Sequence, residues 1–87
     1  MIYTLQFHPD FVKQMKKLDR YQSRLIYLWI EKHLVNKDPR SSGKPLTTNY
    51  AGSWRYRVGD YRIIAEILDE VLVLHVLMIS HRSQSYR

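Results

Sequence analysis

Cysteine is absent from these 87 residues, which excludes disulfides and thiolate zinc sites. Glycine and proline number three each. They form no glycine-rich phosphate loop, and neither a low-complexity segment nor an internal repeat is present. The longest apolar run, Val71 to Ile79 interrupted by His75, falls far short of a membrane span. The opening Met1-Ile2-Tyr3-Thr4 lacks the basic-then-apolar pattern of a signal peptide, so a cytoplasmic location without membrane contact is expected. No nucleophile triad and no His/carboxylate metal spacing is visible, and neither a metal nor a cofactor is expected. Acidic residues are scarce: 8 stand against 14 lysines and arginines, a formal net charge of +6.

What is there suits one globular domain spanning residues 1–87. Hydrophobic residues make up 45% and aromatics 13%, too apolar for a disordered chain. The length leaves no room for a second core. A basic balance favours polyanionic partners such as nucleic acid, acidic proteins or anionic membrane.

Residues Ile2 to Phe7 read as a first strand, and Pro9 is well placed in the first turn of a helix. Phe11, Met15 and Leu18 recur at helical spacing. Asp19 is a candidate cap for a second helix from about Tyr21 to Val35, with a broad apolar side including Leu25, Ile26, Leu28, Trp29, Ile30 and Leu34. That helix stops before Asp38-Pro39, since a residue preceding proline is disfavoured in helical geometry. Residues 38–53 read as a loop or irregular edge segment. Strands are expected over about Trp54–Val58, Tyr61–Leu68 and Val71–Ser80, with turns at Gly59-Asp60 and Asp69-Glu70. The fold class is therefore α+β: an N-terminal strand, a helical hairpin, then a three-stranded antiparallel meander, with the helices on one face of a single sheet.

Period-2 alternation sends Trp54, Tyr56 and Val58 to one face and Arg55 and Arg57 to the other. With a two-residue turn at Gly59-Asp60, Arg57 lies directly opposite Arg62. Like charges facing across a ladder destabilise it by roughly a few tenths to 1 kcal/mol. The pair is expected to hold something anionic. Continued through the last strand, the alternation puts Leu72, Leu74, Val76 and Met78 on the helix-covered face. The opposite face carries Arg55, Arg57, Arg62, Glu66, His75 and His81 among Ile64, Val73, Leu77 and Ile79. Such an uncovered mixed face is a candidate binding surface. Ser80-His81-Arg82 should arrive near Arg57 and Arg62.

Arg55, Arg57, Arg62 and Arg82 offer planar charged forks suited to phosphate and to a phosphorane whose oxygens gain charge. Arginine does not deprotonate in proteins, so proton transfer needs another group. His81 is the candidate, and Tyr86 could donate a proton or stack on a base. His75, inside an apolar strand, reads as a packed residue, and His8 and His33 as helix-terminal or surface residues.

Gly43-Lys44-Pro45-Leu46, the run Gly52 to Ile63, and His81-Arg82 with Tyr86 resemble the RelE/ParE superfamily of bacterial toxins, over essentially the whole chain. The resemblance implies a compact α/β toxin neutralised by a cognate antitoxin. The RelE branch cuts mRNA in the ribosomal A site; the ParE branch poisons DNA gyrase. By position, Arg55 and Arg57 match the paired basic residues of the RNA-cleaving branch, and Arg62 the arginine that binds the scissile phosphate. Arg82 and Tyr86 match its C-terminal catalytic arginine and tyrosine. The RelE-type pattern has lysines where this chain has Arg55 and Arg57, which shifts the base to His81, with Tyr86 the alternative.

The expected function is thus a type II toxin that arrests growth as a ribosome-dependent mRNA endonuclease, by attack of the RNA's own 2′-hydroxyl. Arg62, His81, Arg82 and Tyr86 are the catalytic candidates, and Arg55 and Arg57 the RNA-phosphate ligands. The partners are the ribosome, mRNA and an antitoxin contacting Ile64, Val73, Leu77 and Ile79; operator DNA is reached only through the antitoxin complex. A gyrase inhibitor and an inactive antitoxin-bound regulator are the alternatives.

Overall fold

A computed structural model describes residues 3–47 and 49–84. Strand β1 (Thr4–Phe7) leads into helix α1 (Pro9–Lys16) and then helix α2 (Arg20–Ile30), which runs on as a π-helical turn over Glu31–Val35. Strands β2 (Lys44–Pro45), β3 (Trp54–Val58), β4 (Tyr61–Leu68) and β5 (Val73–His81) follow, and a short 3-10 turn covers Arg82–Gln84. The five strands form one sheet in the order β1-β5-β4-β3-β2, with β1 parallel to β5 and the other pairs antiparallel.

Local chemistry explains both helix starts. The ring Nδ1 of His8 accepts from the Asp10 N–H at 3.0 Å, with Pro9 in the first turn. Asp19 Oδ1 accepts from the Gln22 N–H at 2.7 Å and caps α2. Phe11 and Met15 of α1 and Ile26, Ile30 and Leu34 of the second helix supply the buried stripe. It packs against Tyr56, Val58, Ile63, Ala65, Leu74, Val76 and Ile79 of the sheet. Fully burying one such aliphatic or phenyl group contributes roughly 1.5–3 kcal/mol. The stripe is narrower than the composition of α2 suggests, because Tyr21, Leu25 and Leu28 remain exposed.

Two departures in β5 alter the face assignments. The β4–β5 connection is four residues, Asp69 to Leu72, so Leu68 pairs with Val73. Leu72 lies in this turn, exposed and at φ 54°, instead of on the helix-covered face. Further along, Ala65 pairs with Val76 while Ile64 pairs with Met78, leaving Leu77 as the extra residue of a β-bulge. One extra residue inverts the side-chain alternation beyond it. Ile79, expected on the open face, is therefore 3% exposed and part of the core; Met78, expected in the core, lies beside Ile64 on the other face.

The segment entering β2 is tied down from several sides. The buried Tyr56 hydroxyl donates to the Pro39 carbonyl at 2.8 Å, and burial pushes its phenol well above the usual range. Gly43 lies so close to that ring that a Cβ there would stand 2.6 Å from a ring carbon. Arg40 forms a bidentate pair with Asp69, whose Oδ1 also accepts from the Tyr3 hydroxyl. This joins the loop before β2, the β4–β5 turn and the N-terminal segment. Hydrogen bonds from Arg40 first, then Tyr3, hold the Asp69 carboxyl below its ordinary value.

Candidate nucleic-acid interface

Gly59 and Asp60 form the two-residue turn, with Val58 opposite Tyr61. Gly59 takes φ +60° at the first central position, the one that type II′ hairpins reserve for glycine. Arg57 therefore stands directly opposite Arg62, one pair in from the turn. Arg55 is two residues back on the same face, about 6.6–6.8 Å away by strand rise. The three arginines line an open cleft of about 380 Å³ together with Ser41, Ser42, Gly43 and Lys44. Arg57 is exposed and Arg62 half-buried.

Among the described residues, no carboxylate forms an ion pair with Lys44, Arg57 or Arg62. Three acids of β4 and its flanking turns have other partners. Glu66 bonds the His75 ring at 3.2 Å, Asp69 holds Arg40, and Asp60 Oδ1 lies 3.7 Å from Arg82 Nε. The cleft wall is thus cationic, and the described residues give Arg57 and Arg62 no carboxylate counter-ion, which leaves their charge available to an anion.

Arg82 reaches the same end of the sheet. Its N–H donates to the Asp60 carbonyl at 2.7 Å, fastening the start of the 3-10 turn to the β3–β4 turn beside Arg57 and Arg62. Ser80 pairs with Arg62, consistent with the expected arrival of this segment near the arginines, but His81 does not share the arginine face. Beyond the bulge its partner is Tyr61, with the two rings edge-to-face at 5.2 Å. His81 lines a separate cleft with Gln14, Lys17 and Leu18 of the helix layer. Its Nδ1 accepts from the Ser83 N–H at 3.1 Å, so in the neutral ring the proton sits on Nε2. Tyr86 lies outside the described residues.

The other expected contact residues divide. Val73 and Leu77 are half-buried on the described surface. Ile64 is 2% exposed even though it belongs to the face away from the helices, and Ile79 is in the core, so neither offers a free apolar surface. His75 is accounted for by Glu66 and by the ring of His8 at 5.9 Å. Among the described residues no three His, Asp or Glu side chains gather closely enough to hold a metal ion. No helix among them is long and apolar enough to cross a membrane. Sequence reasoning overlooked Lys44 in the cleft, because a two-residue strand has no periodicity to reveal which way its side chains face.

Comparison with known proteins agrees with this architecture. Toxin RelG of Mycobacterium tuberculosis is 30% identical over 89 aligned residues, covering 100% of this chain and 99% of the relative. A chain of the toxin–antitoxin complex RelBE2 from the same species superposes with a TM-score of 0.86 at 28% identity, covering 94% of this chain and 100% of that one. A mutant of the E. coli toxin RelE in the free state shares the fold, with a TM-score of 0.76 at 18% identity, over 98% of this chain and 88% of that one. The α+β fold is RelE-like. The family model describing the ParE toxin of type II toxin–antitoxin systems matches residues 5–86. With nearly the whole chain matched, the protein is a type II toxin of the ParE toxin family, within the RelE/ParE superfamily.

Proposed function

We propose that this toxin is a ribosome-dependent mRNA endonuclease. The observation that carries the reading is the directly opposed Arg57/Arg62 pair, in a cationic cleft whose described residues supply these two arginines no carboxylate partner. A fold that accepts this cross-strand repulsion gains from it when a phosphate lies between the two guanidiniums. Arg57 and Arg62 grip the scissile phosphate and neutralise the charge that builds on its oxygens as the neighbouring 2′-hydroxyl attacks. Arg82, in the fastened turn after β5, adds a third charge that its loose 3.7 Å pair with the exposed Asp60 leaves able to reach the phosphate, and Arg55 holds adjacent backbone. A domain this small has few groups to enforce in-line geometry, and the ribosomal A site would provide that positioning. With His81 turned to the helix side, the clamp acts chiefly through electrostatics. Proton transfer falls to Tyr86 or to a group of the ribosome.

The partner that silences the toxin is a cognate antitoxin, as in the RelBE2 complex of the structural relative. Its contacting segment is acidic over the arginine cleft and apolar over Val73 and Leu77. The test is to induce the toxin and map the 5′ ends of a translated mRNA. Wild-type protein produces new ends within codons; Arg62→Ala produces none and keeps a normal melting curve. Undiminished cleavage by that variant contradicts the proposal. The description of the matching family favours a second reading, a gyrase inhibitor without nuclease activity. A loss of supercoiling activity with no new mRNA ends would establish that reading instead.

A further inference from the structure

The cationic face holds a second opposed pair. Antiparallel pairing of β2 with β3 sets Lys44 directly opposite Arg55, as Arg62 is set opposite Arg57. Both pairs project into the same cleft. They share strand β3 and are offset along it by two residues, about 6.6–6.8 Å. Neighbouring strands lie about 4.7–4.9 Å apart, so the four cations spread over three strands and some 10 Å of sheet. That is more than one phosphate group spans and of the order of one nucleotide step in an extended single strand.

We infer that Lys44 is a substrate-positioning residue that, with Arg55, binds the phosphate next to the one held by Arg57 and Arg62. The inference rests on the RNA-cleaving reading of the cleft. The main chain fixes where Lys44 sits. Pro45 cannot donate to a ladder, which suits an edge strand of only two residues. Close packing of Gly43 on the Tyr56 ring, the Tyr56–Pro39 bond and the Leu46 N–H to Ser53 carbonyl bond hold β2 on both sides. Lys44 itself is exposed and pairs with no carboxylate among the described residues, so its ammonium serves no evident structural purpose. A point charge at the end of a flexible stem suits a phosphate whose position along the strand matters more than its orientation. Two successive phosphates, gripped by two pairs, would set the register of the RNA and so decide which bond reaches Arg57 and Arg62.

The test is equilibrium binding of a short fluorescently labelled single-stranded RNA, followed by anisotropy across a series of KCl concentrations. For a single strand, each phosphate contact contributes about 0.7 to the slope of log K against log salt. Lys44→Gln is expected to flatten the wild-type slope by up to about 0.7, since Arg55 still faces the same phosphate, with an unchanged circular dichroism spectrum, and Lys44→Arg to restore it. A salt-dependent wild type whose slope Lys44→Gln leaves unaltered overturns the role of Lys44 but leaves the RNA reading intact. A wild type that binds without salt dependence, or not at all, overturns the inference, while the RNA-cleaving reading itself stands or falls on the mapped mRNA 5′ ends.

Discussion

Replacing Arg57 by glutamate converts the opposed Arg57–Arg62 pair into one of opposite charge. Relief of the like-charge contact and gain of the new one are each worth about 0.2–1 kcal/mol. Glutamate is less suited than arginine to a strand, which takes back a few tenths of a kcal/mol. Exposure of Arg57 places the electrostatic contributions in the lower half of their range, for a net gain of about 0.1–0.9 kcal/mol. In a chain of this size 1 kcal/mol moves Tm by about 4–8 °C, so a rise of up to about 7 °C is expected. Thermal melts followed by circular dichroism at low ionic strength would measure it. Repeated near 1 M salt, where the screening length falls to about 3 Å, the gain should largely vanish. The same variant should lose mRNA cleavage. A lower Tm at low salt, or a gain that salt does not reduce, would refute the claim that the fold tolerates this repulsion for the sake of an anion.

Asp69→Asn should lower Tm at neutral pH, because it removes the charge that Arg40 and Tyr3 share. The folded carboxyl is held below its ordinary value, so its contribution is present above the unfolded pKa of about 3.9 and is lost as pH falls through the folded one. Melts from neutral to acidic pH should show the wild-type and Asp69→Asn curves converging only below about pH 4; a gap that persists there would assign the effect to packing instead. His81→Asn should reduce mRNA cleavage far less than Arg62→Ala, since the ring lies on the helix side against Tyr61. Comparable losses in mapped 5′ ends would return His81 to the chemistry.

Much of the fold was legible because it depends on short-range regularities. Pro9 and Asp19 mark helix starts through backbone constraint and capping, and both lie where they were expected. The alternating aromatic and arginine positions from Trp54 to Val58, with Gly59-Asp60, were enough to read the hairpin and the Arg57–Arg62 pair. The last strand was harder. Nothing in Asp69-Glu70-Val71-Leu72 distinguishes a four-residue connection from a two-residue turn, and Leu77, an ordinary apolar residue, does not announce a bulge. That one residue moved Ile79 into the core and turned His81 away from the arginines.

By itself, then, the order of residues determined most of the element types, the excess of positive charge and the hairpin that opposes two arginines. Each follows from backbone preferences or from period-2 and period-3.6 patterns acting over a few neighbours. Tertiary structure decided which cations share a cleft. Lys44 joins the site only because β2 closes the sheet edge beside Arg55, and His81 leaves it only because β5 bulges against β4. Both outcomes are set by pairing between strands distant along the chain, which no local pattern encodes.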